Sequence, residues 1–399
     1  MLAKEMLDAA ELLPASQSEV GRIHKYIALA YAAKIKLYQA YQQDETTHAV
    51  TSINKELLRE VVSLCDQVTA SNRYGLLDDF QGLDLVANEN GKESVFAIQY
   101  SMNDGTESAG RINWSNLLNS PGGGSPYGGD GFFLPSQDLI NAYQTDANGL
   151  PDFNYQSKSD YSWAVLNNGV YTLQNTTPNV DPRLDFVVGR PTITWKTYPD
   201  KPCEGWVRDK ETYGYNCAKR FWVSPESSDM FNGWPWGASQ LNWQIIRYAD
   251  ILLWKAEALI ELNEGDGLET ARDLINQIRN RARNSAYVKD FNDHSKYAAN
   301  YLVNPYPADV WNQDYARQAL RWETRLEKAL EGERFFDLVR WGIVETTMNK
   351  YITAESDNRI YYANAHFTGG KDEYYPVPNN QYGFSGGKYV QNPGYAPFN

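Results

Sequence analysis

The sequence predicts a mainly α-helical protein, built as a stack of helical hairpins that carries a large irregular, loop-rich insertion. Three observations lead to this architecture. Apolar residues recur at helical spacing at the start of the chain and again in its second half. The stretch between them is rich in Gly, Asn, Pro and aromatic residues, with only short periodic runs. A hydrophobic content of 42% over 399 residues suffices for a packed core and argues against wholesale disorder.

Residues 1–71 are predicted to be helical and to form part of the repeat scaffold. Apolar side chains recur at spacings of three and four near residues 2–13, 23–38 and 57–65. Cys65 falls on the apolar face of the third stretch, where we expect it to pack as a small hydrophobe. The opening residues lack the basic and apolar regions of a signal peptide, and no apolar run approaches the about 18 residues of a membrane span. The sequence starts within a helical pattern without a cap, which fits a cytoplasmic chain and equally one whose true start is missing.

Residues 72–240 are predicted to form the loop-rich, ligand-binding portion. The tract 121–131 must be a loop because it contains six glycines. A short helix is predicted over 136–144, with a serine as its cap. Cys203 and Cys217 flank an aromatic stretch, and a disulfide between them would contribute about 3 kcal/mol in an oxidising compartment. The sequence does not give the distance between the two thiols, so bridged and free states stay equally open.

Residues 241–350 are predicted to form the helical hairpins of the scaffold. Two apolar stripes around the turn 264–267 predict one antiparallel hairpin, and the stretches 315–330 and 334–348, broken by a glycine, predict a second. With the N-terminal helices these hairpins are similar to a tetratricopeptide-type stack, although a consensus repeat of about 34 residues is absent. Residues 351–399 are predicted to be an irregular segment that packs on the scaffold, so that all four portions form one integrated domain.

Charge and aromatic content restrict the classes of ligand. The net charge is −13 and the pI is about 4.9, which argues against nucleic acid and anionic lipid surfaces because both require a basic footprint. The 12 Trp, 28 Tyr and 14 Phe exceed what a core of this size needs. The surplus of rings therefore calls for a functional explanation.

The sequence contains no recognisable catalytic or metal-binding motif. None of the four histidines lies within metal-ligand spacing of another, and zinc, nucleophile-elbow and phosphate-loop patterns are absent. Residues 146–149 weakly resemble a calcium loop but lack the closing Glu, so we expect a plain turn. A glycoside hydrolase remains open as an alternative, because its two carboxylates need only the correct separation in space. Nothing selects two of the 50 acidic residues, and no catalytic residue is predicted.

Half of the tryptophans lie between residues 195 and 243, with equal numbers of basic and acidic residues among them. Rings on glycine- and proline-rich loops with balanced charge suit a neutral polyhydroxylated ligand, whose C–H face can lie on an aromatic ring. The pair around Pro235 is most typical of a platform, because proline fixes the backbone. Outside the cluster, Tyr127 is predicted to be the best exposed ring and Trp114 the second. The candidate glycan-binding residues are Trp234, Trp236, Trp206, Trp195, Tyr213, Tyr127, Trp114, Arg208 and Asn232.

The alternative for these rings is that they pack a loop-rich layer. Core packing is the better expectation for any single tryptophan, since tryptophan is highly buried on average. For the cluster as a whole we expect at least two exposed rings.

Four short blocks, in order along the chain, carry a resemblance to a known family. They are residues 181–184 (DPRL), 247–258 (RYADILLWKAEA), 331–342 (EGERFFDLVRWG) and 375–378 (YPVP) followed by QNPGY. On these blocks the chain resembles the SusD/RagB family of nutrient-binding outer-membrane lipoproteins. The resemblance covers essentially the whole chain and begins inside the family's helical repeats. The charged motif residues are spaced to interact on helix faces, and we expect them to lock helix hairpins together and not to bind ligand.

The resemblance implies a non-catalytic protein that binds a glycan, or in some members a peptide, at the cell surface. It further implies delivery to a SusC-like TonB-dependent transporter and lipid anchoring at the extracellular face of the outer membrane, although the family's signal peptide and anchor cysteine do not appear in this sequence. A structural calcium would fit the family, but no ligand set here supports a site, so no cofactor is predicted. The family's ligand residues lie outside the shared blocks, and none can be transferred. A peptide binder, a glycoside hydrolase and a scaffold for protein partners remain as alternatives.

Overall fold

The computed structural model describes most of the chain. The side chains of residues 164–167, 170–173 and 210–211 are outside this description. The described residues are 1–107, 110–114, 117–122, 124–161, 164–167, 170–173, 178–198, 203, 205–214, 216–234 and 236–398.

The N-terminal portion is helical, as its apolar periodicity predicts. The second helix packs against both the first and the third, and a short antiparallel strand pair connects the second helix to the third. The side chain of Asn54 caps the third helix by accepting a hydrogen bond from the backbone N–H of Leu57. Cys65 is fully buried in this portion, as expected. The elements are α1 (Leu2–Leu12), α2 (Lys25–Ala40), β1 (Tyr41–Gln43), β2 (Val50–Ile53) and α3 (Lys55–Ala70).

The middle portion has little regular structure, as its composition predicts. Its short strands form antiparallel pairs, β3 with β10, β4 with β7, β5 with β6 and β8 with β9. The predicted serine cap is present, since Ser136 Oγ accepts from the backbone N–H of Leu139. The elements are β3 (Ser94–Ile98), α4 (Gln137–Ala142), β4 (Gln144–Thr145), β5 (Ala164–Asn167), β6 (Val170–Leu173), β7 (Asn179–Val180), α5 (Arg183–Val187), β8 (Val188–Gly189), α6 (Lys210–Tyr213), β9 (Cys217–Ala218) and β10 (Trp243–Arg247).

The second helical portion contains the predicted hairpins, with one correction. The helix predicted over 334–348 is two helices, because Gly342 has a φ of +66° that an α-helix cannot accommodate. None of the described helices is both long and apolar enough to cross a membrane. The elements are α7 (Tyr248–Leu262), α8 (Gly267–Asn284), α9 (Gln313–Glu327), α10 (Arg334–Arg340), α11 (Val344–Glu355) and α12 (Asn379–Phe384).

A buried network of ion pairs joins the helices to the loop-rich portion. Arg247, at the start of α7, donates to Glu93 and Glu331 and to Glu327 of α9. Glu327 also accepts from Arg281 of α8. Apart from Glu331, whose side chain is 9% exposed, the members of this network are buried, so each charge depends on its protein partners.

The motif residues of α7 and α10 hold helices together, as the sequence indicates. Glu257 of α7 accepts hydrogen bonds from Arg340, from the hydroxyl of Tyr41 (2.6 Å) and from the indole of Trp341 (2.9 Å). Arg340 also pairs with Asp337 at 2.9 Å. These side chains are buried among the helices and serve the scaffold.

Candidate functional site

Three tryptophans of the loop-rich portion are exposed, and two of them are in ring contact. Trp234 is 71% exposed, Trp236 is 53% exposed and Trp114 is 43% exposed. The rings of Trp114 and Trp234 meet edge to face, with centroids 5.4 Å apart and planes at 72°. The expectation of at least two exposed rings in the cluster is therefore confirmed. We call Trp114, Trp234 and Trp236 the exposed tryptophan surface.

A short hairpin-like loop carries two of these rings. The backbone N–H of Phe231 donates to the carbonyl of Ala238 at 2.8 Å, which brings the ends of the loop together. Gly233 and Gly237 have φ values of +124° and +75°, which side-chain-bearing residues rarely adopt. Pro235, predicted to stiffen the platform, lies outside the described residues. The glycines on both sides of the tryptophans allow the tight loop that exposes them.

Two neighbouring segments position the third ring and support the loop. Asn113 donates its backbone N–H to the carbonyl of Ser239 at 2.9 Å, which places the adjacent Trp114 beside the loop. The backbone of the glycine tract lies against Trp236, since a Cβ built on Gly128 would come within 3.3 Å of the Cβ of Trp236. Both this close approach and its φ of +63° favour a glycine at position 128.

The polar candidates beside this surface are balanced in charge. Arg208 is exposed, and it donates to the carbonyl of Gly129 (2.9 Å) and pairs with Asp130 (3.1 Å). Asn232 is exposed on the loop that bears Trp234. The structure thus places Arg208 on the glycine tract, where its charge is matched by a neighbouring carboxylate.

Three of the predicted ligand-binding rings are buried, which corrects the sequence prediction. Tyr127, expected to be the best exposed ring outside the cluster, is 0% exposed, and Trp195 and Trp206 are also buried. The hydroxyl of Tyr127 donates to the carbonyl of Val223 at 2.6 Å and accepts from the indole of Trp195 at 2.9 Å. Burial raises the pKa of Tyr127 well above its ordinary value. These rings form a small core beneath the loops, so they cannot present a face to a ligand.

The same small core contains both cysteines of the loop-rich portion. Cys203 and Cys217 are free thiols, and both are buried. Burial, and to a smaller extent the hydrogen bond to Cys217, raises the pKa of Cys203 well above its ordinary value. The Cys203 thiol is therefore not activated as a nucleophile.

Tyr213 is exposed, but the structure places it in a different ring pair. Its partner is Tyr361, with centroids 6.1 Å apart. Tyr361 lies in the C-terminal portion, where no ligand-binding residue was predicted. This pair is formed by the packing of the C-terminal portion on the loop-rich portion, which sequence spacing does not indicate.

One exposed ring near the glycine tract was missed. Phe132 is exposed, and its backbone N–H donates to the carbonyl of Leu118, which is also exposed. Because Gly131 likewise donates to the carbonyl of Ser120, the two ends of the tract are joined and hold Phe132 outward. The signal was available, since two consecutive phenylalanines directly follow the glycine tract.

One carboxyl group close to this region titrates unusually. Burial raises the pKa of Glu89 to about 7, although the backbone N–H of Asn242 donates to this side chain and partly offsets the effect. A raised carboxyl pKa is a property of general acids, and it also occurs in carboxyls that only anchor a loop. Glu89 is therefore the residue to test for the hydrolase alternative.

Metal ligation finds no support in the described residues, which contain no group of three or more His, Cys, Asp or Glu side chains placed to hold an ion. Residues 146–149 form the plain turn that was expected, in which Asp146 Oδ1 accepts from the backbone N–H groups of Asn148 and Leu150. A structural calcium is compatible with the family resemblance, but no cofactor is predicted for this chain.

Comparison with solved structures identifies the same architecture in other proteins. A SusD homologue from Bacteroides thetaiotaomicron has a TM-score of 0.67 and 18% identity, over 98% of this chain and 69% of its own. A SusD-like carbohydrate-binding protein from Bacteroides fragilis has a TM-score of 0.60 and 21% identity, over 87% of this chain and 58% of its own. Surface glycan-binding protein A from Bacteroides thetaiotaomicron has a TM-score of 0.54 and 17% identity, over 99% of this chain and 70% of its own. The chain thus spans between 58% and 70% of these relatives.

The fold and the exposed tryptophan surface define a class of protein in which a scaffold of helical hairpins carries a loop-rich portion with exposed aromatic rings. The family model described as the SusD family matches residues 92–395. This chain belongs to the SusD family. No curated protein matches it.

Proposed function

We propose that this protein binds an oligosaccharide or polysaccharide without chemical conversion, through the exposed tryptophan surface. The observation that carries the proposal is the outward orientation of three indole rings from adjoining loops. Indole is the ring best suited to the C–H face of a sugar, and stable monomers rarely expose several such rings together. The neighbouring charges on Arg208 and Asp130 match each other, which favours a neutral ligand over a charged one.

Structural relatives support this class of ligand. A carbohydrate-binding protein and a surface glycan-binding protein share the fold, as does a protein crystallised with a xylogluco-oligosaccharide (TM-score 0.52, 18% identity). At such identities the likeness demonstrates the fold alone. The ligand class is therefore argued from the rings of this chain together with these neighbours.

The proposal extends to the cellular role that the family resemblance implies. The protein captures the glycan at the extracellular face of the outer membrane, held there by a lipid anchor, and delivers it to a SusC-like TonB-dependent transporter. Nucleic acid is not a partner, because the chain carries a net charge of −13. Recovery of a TonB-dependent transporter with the protein from native membranes tests this step separately from glycan binding.

The binding test is affinity electrophoresis through gels that contain a panel of neutral and charged polysaccharides. We expect one glycan to retard the wild-type protein, and we expect the double variant Trp234→Ala, Trp236→Ala to migrate freely. The matched control is Tyr375→Ala, because Tyr375 is 91% exposed but lies in the C-terminal portion. Each variant is first checked for an unchanged unfolding transition.

Three other results would redirect the proposal. Retardation that persists in the double variant would move the site, and Phe132→Ala is then the next variant. Binding of free peptides, with no glycan retarded, would establish the peptide-binding alternative. Release of reducing sugar by the wild-type protein, lost in Glu89→Gln, would establish a glycoside hydrolase.

A further inference from the structure

A cavity of about 760 Å³ lies in the helical scaffold, between α9, α10, α11 and the segment 133–156. Its volume is within the range of about 300–1,000 Å³ that is typical of small-molecule sites. Rings form much of its wall, among them Phe133, Phe153, Trp322 and Phe335. The cavity shares no lining residue with the exposed tryptophan surface, so it is a separate place in the molecule.

The charge of this cavity is opposite to that of the chain. Among the described residues that line it, six are basic and two are acidic, whereas the protein as a whole carries −13. Arg317 pairs with Glu261, Arg325 with Asp138 and Lys328 with Asp250, so these three cations are compensated.

Arg321 and Arg334 line the same cavity without a carboxylate partner. In the described part of the chain, no acidic oxygen lies within 4.0 Å of either guanidinium group. The hydrogen bond shown for Arg334 joins its Nη1 to the backbone carbonyl of Arg321 at 3.3 Å. This contact places the guanidinium group of Arg334 against the backbone of Arg321, and neither arginine forms a direct ion pair with a carboxylate among the described residues.

The indole of Trp341 orders both groups. The guanidinium carbons of Arg321 and Arg334 lie 5.3 and 5.8 Å from its ring centroid. Arg340 lies against the same ring at 5.2 Å, and by contrast it is paired with Glu257 and Asp337. The scaffold therefore fixes three arginines around one ring and neutralises one of them.

Desolvation acts on both unpaired arginines. Burial lowers the pKa of Arg321 below its ordinary value. Burial, with the nearby charge of Arg325, lowers the pKa of Arg334 to about 9. Two half-buried cations without a direct ion-pair partner are costly in a folded protein, and an anion bound in the cavity that both line would relieve that cost.

We propose that this cavity binds an organic carboxylate attached to a ring, with the carboxylate held by Arg321 and Arg334 and the ring packed against Trp322 and Phe335. The planar guanidinium fork matches the two oxygens of a carboxylate, and the aromatic wall accommodates a flat body. The same chemistry is present in a uronic acid residue of a glycan and in a free aromatic acid. The proposal does not depend on the exposed tryptophan surface.

The first experiment compares matched ligands on the wild-type protein by calorimetry. One arm uses a galacturonic acid trisaccharide and its methyl ester, and the other uses benzoate and benzamide. We expect the acid in at least one arm to bind at least about tenfold more tightly than its neutral partner, because only the acid presents an anion to the two arginines. Equal affinities of acid and neutral partner, or no binding in either arm, would overturn the proposal.

The second experiment locates the site. Arg321→Met and Arg334→Met should each weaken binding of the acid about tenfold, and Arg321→Lys should weaken it less because the charge remains while the fork is lost. The control is Lys350→Met, which removes an exposed cation from the same cavity and should change affinity less than about twofold.

The outcomes separate this proposal from the proposed function. If a Met variant does not fold, the Arg321→Lys variant and the wild-type comparison of acid with ester decide the question. Unchanged affinity in folded arginine variants would overturn the site. Loss of acid binding in Trp234→Ala, Trp236→Ala would assign the carboxylate to the exposed tryptophan surface and also overturn it.

Discussion

The scaffold interior and the loop-rich face distribute their side chains in opposite ways, and both depart from the usual arrangement of apolar inside and polar outside. Inside the scaffold, Arg247, Arg281 and Glu327 are buried as charges. On the loop-rich face, Trp234 and Trp236 are exposed as rings. For these three residues the first departure is explained by protein contacts, since each of their charges meets an opposite one. The second departure, the exposure of Trp234 and Trp236, is not explained by protein contacts. This difference is why we assign glycan binding to the exposed tryptophan surface.

The largest expected effect tests the scaffold side of this comparison. Glu327→Gln preserves shape but removes the negative charge that Arg183, Arg247 and Arg281 share. We expect the free energy of unfolding to fall by about 3–5 kcal/mol, because buried guanidinium groups would lose their counter-charge. Urea denaturation followed by circular dichroism measures the change.

The matched control for that variant is an exposed ion pair. Glu56→Gln breaks the pair with Arg59 on the surface of α3, and it should cost less than about 1 kcal/mol. Equal costs for the two variants would show that the buried network contributes no more than surface charges do.

The pH dependence of stability sharpens the same point. Burial alone would raise the pKa of Glu327, but Arg281, Arg247 and Arg183 outweigh burial and hold it below its ordinary value near 4.5. In acid the unfolded chain therefore binds a proton that the folded chain resists, so stability is lost as the pH falls below about 4.5. Burial raises the pKa of Asp250, which acts in the opposite direction.

The measurement is the free energy of unfolding at pH 7, 4.5 and 3.5 for the wild type and for Glu327→Gln. We expect stability to fall toward pH 3.5 in the wild type and to fall less in the variant, which lacks this carboxyl. A parallel decrease in both proteins would assign the acid sensitivity to other carboxyl groups.

The scaffold could be predicted from the sequence more fully than the site. Apolar periodicity and the turn at 264–267 predicted α7 and α8, and the spacing of charges around Glu257 and Arg340 indicated helix locking. These are local signals, repeated over many residues. The exception is Gly342, where one residue with a positive φ divides a helix that the periodicity alone would continue.

The solvent exposure of individual rings in the loop-rich portion could not be predicted from the sequence in the same way. Tyr127 and Trp236 both lie beside glycines, yet one is buried and the other is exposed. The difference arises from neighbours distant in sequence, since Tyr127 donates to Val223 and accepts from Trp195. Composition identified the region that contains exposed rings, but only tertiary contacts determine which of its rings face solvent.

An intermediate effect is expected for the buried hydroxyl of Tyr127. Tyr127→Phe removes the acceptor for the indole N–H of Trp195 and the donor to the carbonyl of Val223, and it leaves both groups buried without this partner. We expect a loss of about 1–3 kcal/mol in unfolding free energy with glycan binding unchanged. The control is Tyr375→Phe, an exposed tyrosine whose change should be near zero. Loss of binding in folded Tyr127→Phe would return this residue to the site.

The smallest expected effect on stability belongs to Trp236→Ala, and it is the most informative for function. Trp236 is 53% exposed, so its truncation removes less buried surface than truncation of a core ring, for which about 3–5 kcal/mol is typical. We expect a change of less than about 1 kcal/mol in unfolding free energy and at least a tenfold loss of glycan affinity in the same preparation. A large destabilisation would mean that the ring of Trp236 supports its loop by packing against Gly128. Contacts within the protein would then explain this ring, as they explain the buried charges of the scaffold. A stable variant that no longer binds would show that a large apolar side chain is retained at the surface for its ligand.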